Sequence, residues 1–149
     1  MPGLLNYTTT IPVQKTIAEM QQMLIQAGAL EISQRYIDGA AVGLTFTAPT
    51  QYGPQQFILP VDVDAVRSVL LKGKPRAAKA NSKPYSYEQA ERVAWRVARS
   101  WLEAQLAMIQ IGLAKIDQIM LPYMHVGDQQ TVYDKYLESQ QYLQIEAGD

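Results

Sequence analysis

Arg92, Arg96 and Arg99 are spaced by four and then three residues, and Glu103 follows four residues later. On a helix all four side chains fall in one narrow stripe. Guanidinium groups set out in this way can contact successive phosphates, and Lys72, Lys74, Arg76, Lys79 and Lys83 carry the same chemistry upstream. These eight positions hold most of the chain's 13 basic residues. Tyr85, Tyr87, Trp95 and Trp101 are interleaved with them. Aromatic rings among cations can stack on unpaired bases, at roughly 1–3 kcal/mol per base. The same stripe also fits a solvated helix face, with Glu88–Arg92 and Arg99–Glu103 as i, i+4 ion pairs worth about 0.2–0.5 kcal/mol each. Both tryptophans then belong to the core. The upstream lysines have no acid near them in sequence, which leaves a binding role and a solvated one equally open for that segment.

Other chemistry is poorly represented. Asp62 and Asp64, with Glu19 or Glu31, are a candidate Mg²⁺-holding carboxylate set for a metal-dependent nuclease. No lysine follows at a spacing that suits a nuclease, and Asp62 is accounted for as a helix cap. His125 is the single histidine, and it reads as a loop residue after Pro122-Tyr123-Met124. There is no cysteine, which excludes disulfides, thiolate catalysis and cysteine-ligated zinc. Neither G-x-x-x-x-G-K-[ST] nor G-x-G-x-x-G occurs, so phosphate cradles of those kinds are absent. The expectation is a non-enzyme with no metal and no cofactor.

Charge is segregated along the chain. The net charge of −1 is the sum of −2 over Met1–Leu71, +6 over Lys72–Ile116 and −5 over Asp117–Asp149. A basic middle and an acidic tail point to a charged partner for one or both. Apolar content of 48% with 18% charged residues belongs to a folded globular chain with a real core. Met1–Val13 holds no basic region followed by an apolar run, and the longest hydrophobic stretch is interrupted by Gln105, Gln110 and Lys115. The expectation is an intracellular protein of a reducing cytoplasm with no membrane span.

These residues have to be positioned by an α+β framework. Asn6–Pro12 suits a short edge strand. Thr16–Glu19 matches a capping box opening a helix through Ile17, Met20 and Leu24 to the stop at Gly28. Leu30–Tyr36 and Ala41–Ala48 flank Asp38-Gly39, a hairpin signal, and Val42, Leu44 and Phe46 alternate with small or polar residues. Pro49–Pro54 reads as a loop and Gln55–Pro60 as a third strand. Asp62 caps a short helix ended by Gly73. The result is (β)αβββα: a small antiparallel sheet of three to four strands with flanking helices, spanning residues 1–72. The order helix, three strands, helix resembles double-stranded-RNA-binding domains, but Asp62 and Asp64 stand where those carry basic residues.

Residues 73–85 form a basic linker, too poor in apolar side chains to hold itself down. Residues 86–149 form a helical hairpin or bundle, and the whole is one compact unit. Ser86 caps the long helix, with Gln89 reaching back to complete the box. Trp95, Trp101, Leu102, Leu106 and Ile109 make it apolar over more than half its circumference, so neighbours or a second subunit must enclose it. It is interrupted near Gly112 and stopped by Pro122. Thr131–Leu143 follows as an amphipathic helix on Val132, Tyr133, Tyr136, Leu137 and Tyr142. Its tyrosines and the acidic tail suit an interface.

The segments YTTTIPVQKTIAEMQQMLIQAGA, GLTFTAPTQYG, FILPVDVDAV, AERVAWRVARSWLEAQLAMIQIG and MLPYM resemble a family of small phage and prophage proteins. The most specific part is Trp95-Arg96 with Trp101–Ala107. The family carries no established activity, so the resemblance implies context: a mobile-element protein in a host bacterial cytoplasm. Together these features lead to a nucleic-acid-binding accessory protein of replication or recombination, with single-stranded DNA favoured and homo-oligomerisation through the long helix. The alternatives are a module that inhibits a host enzyme or defence complex, and a structural phage component.

Overall fold

The computed structural model describes residues 3–148. Strands β1 (Glu31–Ile37), β2 (Ala40–Thr50) and β3 (Gly53–Pro60) form an antiparallel meander with β2 in the centre. Asp38 and Gly39 both adopt positive φ, 51° and 82°. That is the two-residue turn whose twist matches the flanking strands. The second turn is tighter than its sequence indicates. Pro49 pairs with Pro54 and Thr50 with Gly53, where a loop was expected. The Thr50 hydroxyl donates to the Gly53 carbonyl at 2.8 Å and accepts from the Tyr52 amide at 3.1 Å, so a side chain closes this turn.

Alternation sorts the sheet into two faces. Leu44, Phe46 and Ala48 with Phe57 and Leu59 are buried. Ile32, Phe46 and Phe57 share one row across the three strands, with the two phenylalanine rings stacked at 5.2 Å. Gly43 of β2 lies opposite Pro60 at the end of β3. A Cβ there would lie 2.4 Å from the Leu59 carbonyl oxygen.

Helices α1 (Val13–Gln26) and α2 (Val63–Lys72) both pack on the long helix α3 (Tyr87–Gln110). Asp62 caps α2 through the Ala65 amide at 2.9 Å, as its type and position indicate. From α3, Val93, Ala94, Trp95 and Leu102 enter one core with Ile17, Met20 and Leu24 of α1 and the apolar face of the sheet. The Trp95 indole N–H donates to the Ala41 carbonyl at 3.3 Å, which satisfies its polar group inside that core. The expected enclosure of α3 is therefore provided along its buried face by the chain itself.

Three local expectations are corrected. The Asn6–Pro12 segment is not a strand; it turns at Asn6 (φ 63°) and lies along α3, so the sheet has three strands. Its carbonyls are satisfied by a side chain instead, with Gln89 Nε2 donating to Tyr7 O at 3.0 Å and Thr9 O at 2.9 Å. Gln89 therefore does not complete a box with Ser86, which caps α3 alone through the Gln89 amide. Thr16 is not a cap either: α1 starts at Val13 after Pro12, and Thr16 is buried within it.

Beyond α3, Gly112 at φ 79° reverses the chain into α4 (Ile116–Met120) and a 3-10 turn at Leu121–Tyr123. A small hairpin then appears that periodicity did not indicate: β4 (His125–Gly127) and β5 (Gln130–Thr131). Asp128 and Gln129 take positive φ at its tip. Helix α5 (Val132–Ala147) follows at once, capped by Thr131 and Asp134 in a reciprocal box.

Candidate nucleic-acid interface

The predicted basic residues separate into two groups. Arg96 and Arg99 both contact the Glu19 carboxylate of α1, Arg99 at 2.9 Å, and Arg99 also reaches Glu103 at 2.9 Å. Arg96 has the Thr16 hydroxyl as a second partner at 3.4 Å. Burial raises the Glu19 pKa, but the hydrogen bonds and charges of both arginines outweigh it and hold the carboxyl below its ordinary value. These two guanidiniums fasten α1 to α3. Arg92 lies one turn earlier and bonds the neutral Gln89 Oε1 at 3.1 and 2.7 Å, so its charge has no carboxylate partner among the described residues.

The second group lies on the segment 72–83. Lys72, Arg76, Lys79 and Lys83 are exposed, and no ion pair among the described residues engages them. Lys74 bends back onto the carbonyls of Pro75, at 3.2 Å, and Ala78. The segment is a chain of hydrogen-bonded turns: Ala78 N to Pro75 O, Ser82 N to Lys79 O, then a 3-10 turn at Lys83–Tyr85. What holds it comes from outside it. Arg67 of α2 donates to Tyr85 O at 3.3 Å, Ala80 O at 3.4 Å and Asn81 Oδ1 at 3.2 Å. Composition read this stretch as a linker unable to hold itself down. No local signal in α2 marks Arg67 as its clamp.

Beside this basic loop lies a cleft of about 360 Å³, lined mainly by Leu4, Tyr7, Val69 and Tyr85, with Lys83 and Gln89 at its polar edge. Tyr85 was singled out from sequence; Tyr7 was not, because long-range contacts such as the Gln89 clamp and the Asn6–Ser100 hydrogen bond bring the N-terminal segment here. Tyr87 belongs to a different surface. Burial, then Glu91 and Asp64, push its phenol upward. Burial and Glu88 likewise raise Glu91, against a smaller opposing effect of Arg92. The first turns of α3 therefore carry an acidic flank as well as a basic one.

Of the apolar helix residues, Trp95 and Leu102 are fully buried. Trp101 packs edge-on against Tyr123 at 5.4 Å. Leu106 and Ile109 are half-buried beside a groove between the C-terminal ends of α1 and α3. Among the described residues, no group of three or more acidic, histidine or cysteine side chains gathers as a metal site. Glu19 is held by arginines and Asp62 by its capping role, while His125 lies half-buried in β4. No described helix is long and apolar enough to cross a membrane.

No family model, curated protein or solved structure matches the chain.

Proposed function

We propose that this chain is a non-enzymatic nucleic-acid-binding protein that holds single-stranded DNA on the loop between α2 and α3. One observation carries this reading: Lys72 at the end of α2 and Arg76, Lys79 and Lys83 on the loop that Arg67 holds in place are exposed, without carboxylate partners among the described residues. Cations so placed release counterions from a phosphate backbone without first breaking an ion pair. Arg92, bonded to the neutral Gln89 one turn along α3 and without an ion pair among the described residues, extends the same field. Arg96 and Arg99, neutralised by Glu19 and Glu103, position helices in this account. The adjoining cleft, with Tyr7 and Tyr85 in its wall, offers an unpaired base an apolar seat, which favours a single strand over a duplex. Replication or recombination, in which single strands are exposed, is the setting this reading implies.

The test is charge reversal. Lys72→Glu, Lys79→Glu and Lys83→Glu together abolish binding to a fluorescent oligonucleotide, while thermal stability stays close to that of the parent because all three side chains are exposed. Unchanged DNA affinity in that variant removes the loop from the interface. A second reading, a module that docks on a host enzyme or defence complex, is favoured by the exposed aromatic and acidic surface of α5. On that reading the triple reversal leaves partner binding unaffected.

A further inference from the structure

The sheet has two edges, and the fold occupies one of them. Beside β3, Phe57 bridges to Met124 and β4 packs alongside. For β1 the one substantial packing partner is β2, on its inner side. Thr47 aims its carbonyl at this strand, accepting from Leu30 N at 2.7 Å, and that sets the phase of the ladder. Glu31, Ser33 and Arg35 turn their backbone groups to β2, and Ile32 and Gln34 hold theirs toward the open side. Among the described residues no backbone partner outside the ladder takes them. The strand has neither proline nor lysine, the residues that commonly blunt an edge. The irregularity after Arg35 puts the extra residue, Val42, on β2, so β1 itself stays regular over Glu31–Arg35.

Charge selects what adds to this edge and in which register. Glu31 and Arg35 share the face opposite Ile32, and neither has an ion pair among the described residues. A second β1, laid antiparallel with the two-fold axis at Ser33, sets Glu31 of each copy opposite Arg35 of the other. The same register puts Ile32 opposite Gln34, so the free backbone groups of the two edges meet. Glu31 and Arg35 then form the non-hydrogen-bonded kind of pair, with side chains closest, at a Cα separation of about 4.5 Å. Leu30 and Tyr36, 59% and 53% exposed, also become cross-strand neighbours. Parallel pairing in register sets Glu31 against Glu31. Sliding the antiparallel strands by two residues either way leaves both charges unpaired.

We propose that β1 pairs antiparallel with β1 of a second copy, two-fold about Ser33, joining two three-stranded sheets into one of six. The contact is isologous, so it closes as a dimer and does not propagate. It uses no residue of the basic loop and stands apart from the DNA reading.

Sedimentation velocity from roughly 1 to 300 µM protein tests the pairing. Four chains are compared: the parent, Glu31→Arg, Arg35→Glu, and the double variant carrying both changes. Circular dichroism verifies that each chain folds. The parent dimerises as concentration rises. Each single variant sets like charges across the seam, and its dimerisation weakens by roughly tenfold or more. The double variant, and an equimolar mixture of the two single variants, recover the parent's association, because a cation again faces an acid at both positions. Amide exchange reads the seam itself: in the parent, Ile32 and Gln34 slow as concentration rises. A parent that stays monomeric across the range overturns the proposal and leaves the edge for a strand of a different protein. Dimers that neither single variant weakens, or a mixture that fails to recover, overturn it as well.

Discussion

Glu19 shows at the scale of one residue how a local pattern is overruled. Thr16 and Glu19 have the types and spacing of a capping box, yet the helix starts four residues earlier, at Val13 after Pro12, and Glu19 is taken by Arg96 and Arg99. A depressed carboxyl pKa contributes stability that is complete above the unfolded value and is lost as pH falls through the folded one. Glu19→Gln is therefore expected to lower unfolding free energy at pH 7 by about 1 kcal/mol. The difference from the parent should shrink as pH drops below the ordinary value of 4.5, and chemical denaturation at both pH values measures it. Gly43 makes a second prediction. A methyl group would meet the Leu59 carbonyl at 2.4 Å, so Gly43→Ala costs about 1–3 kcal/mol through displacement of β3. Calorimetric melting of the variant checks it. Caps and turns with local causes, at Asp38-Gly39, Asp62 and Ser86, were legible in the sequence. Glu19, Thr16 and Gln89 were misread because their partners lie 77 to 82 positions away.

Among the elements, the meander, α2, α3 and the break at Gly112 follow from period and punctuation. The β4–β5 hairpin escaped notice because its strands are three and two residues long, too short to show alternation. The basic loop escaped for a different reason: its order comes from Arg67, a residue of α2 with no local mark of that task. Removing that clamp separates positioning from charge. Arg67→Ala should speed amide exchange at Ser82 and Tyr85, since the loop loses three hydrogen bonds worth about 0.5–1.5 kcal/mol each. DNA affinity should fall several-fold with an unchanged salt slope, because the phosphate-contacting cations remain. Loss of salt dependence in this variant would make Arg67 itself a contact.

Across the whole molecule, the charge segregation visible in the sequence becomes spatial. The positive middle third splits into arginines that lock α3 to α1 and lysines that face outward from the α2–α3 loop, while the negative tail becomes an uncovered helix. Sequence could count these charges but could not say which were already paired, since that depends on packing between α1 and α3. The most direct measurement is the affinity for a labelled single-stranded oligonucleotide at about 50 mM and about 200 mM salt. Four outward cations on a single strand predict a log–log slope of about −3, hence roughly 50-fold weaker binding at the higher salt. Reversing Lys72, Lys79 and Lys83 should leave no detectable binding at either salt concentration. Absence of binding by the parent at the lower salt, or binding that survives the reversal, would contradict the account.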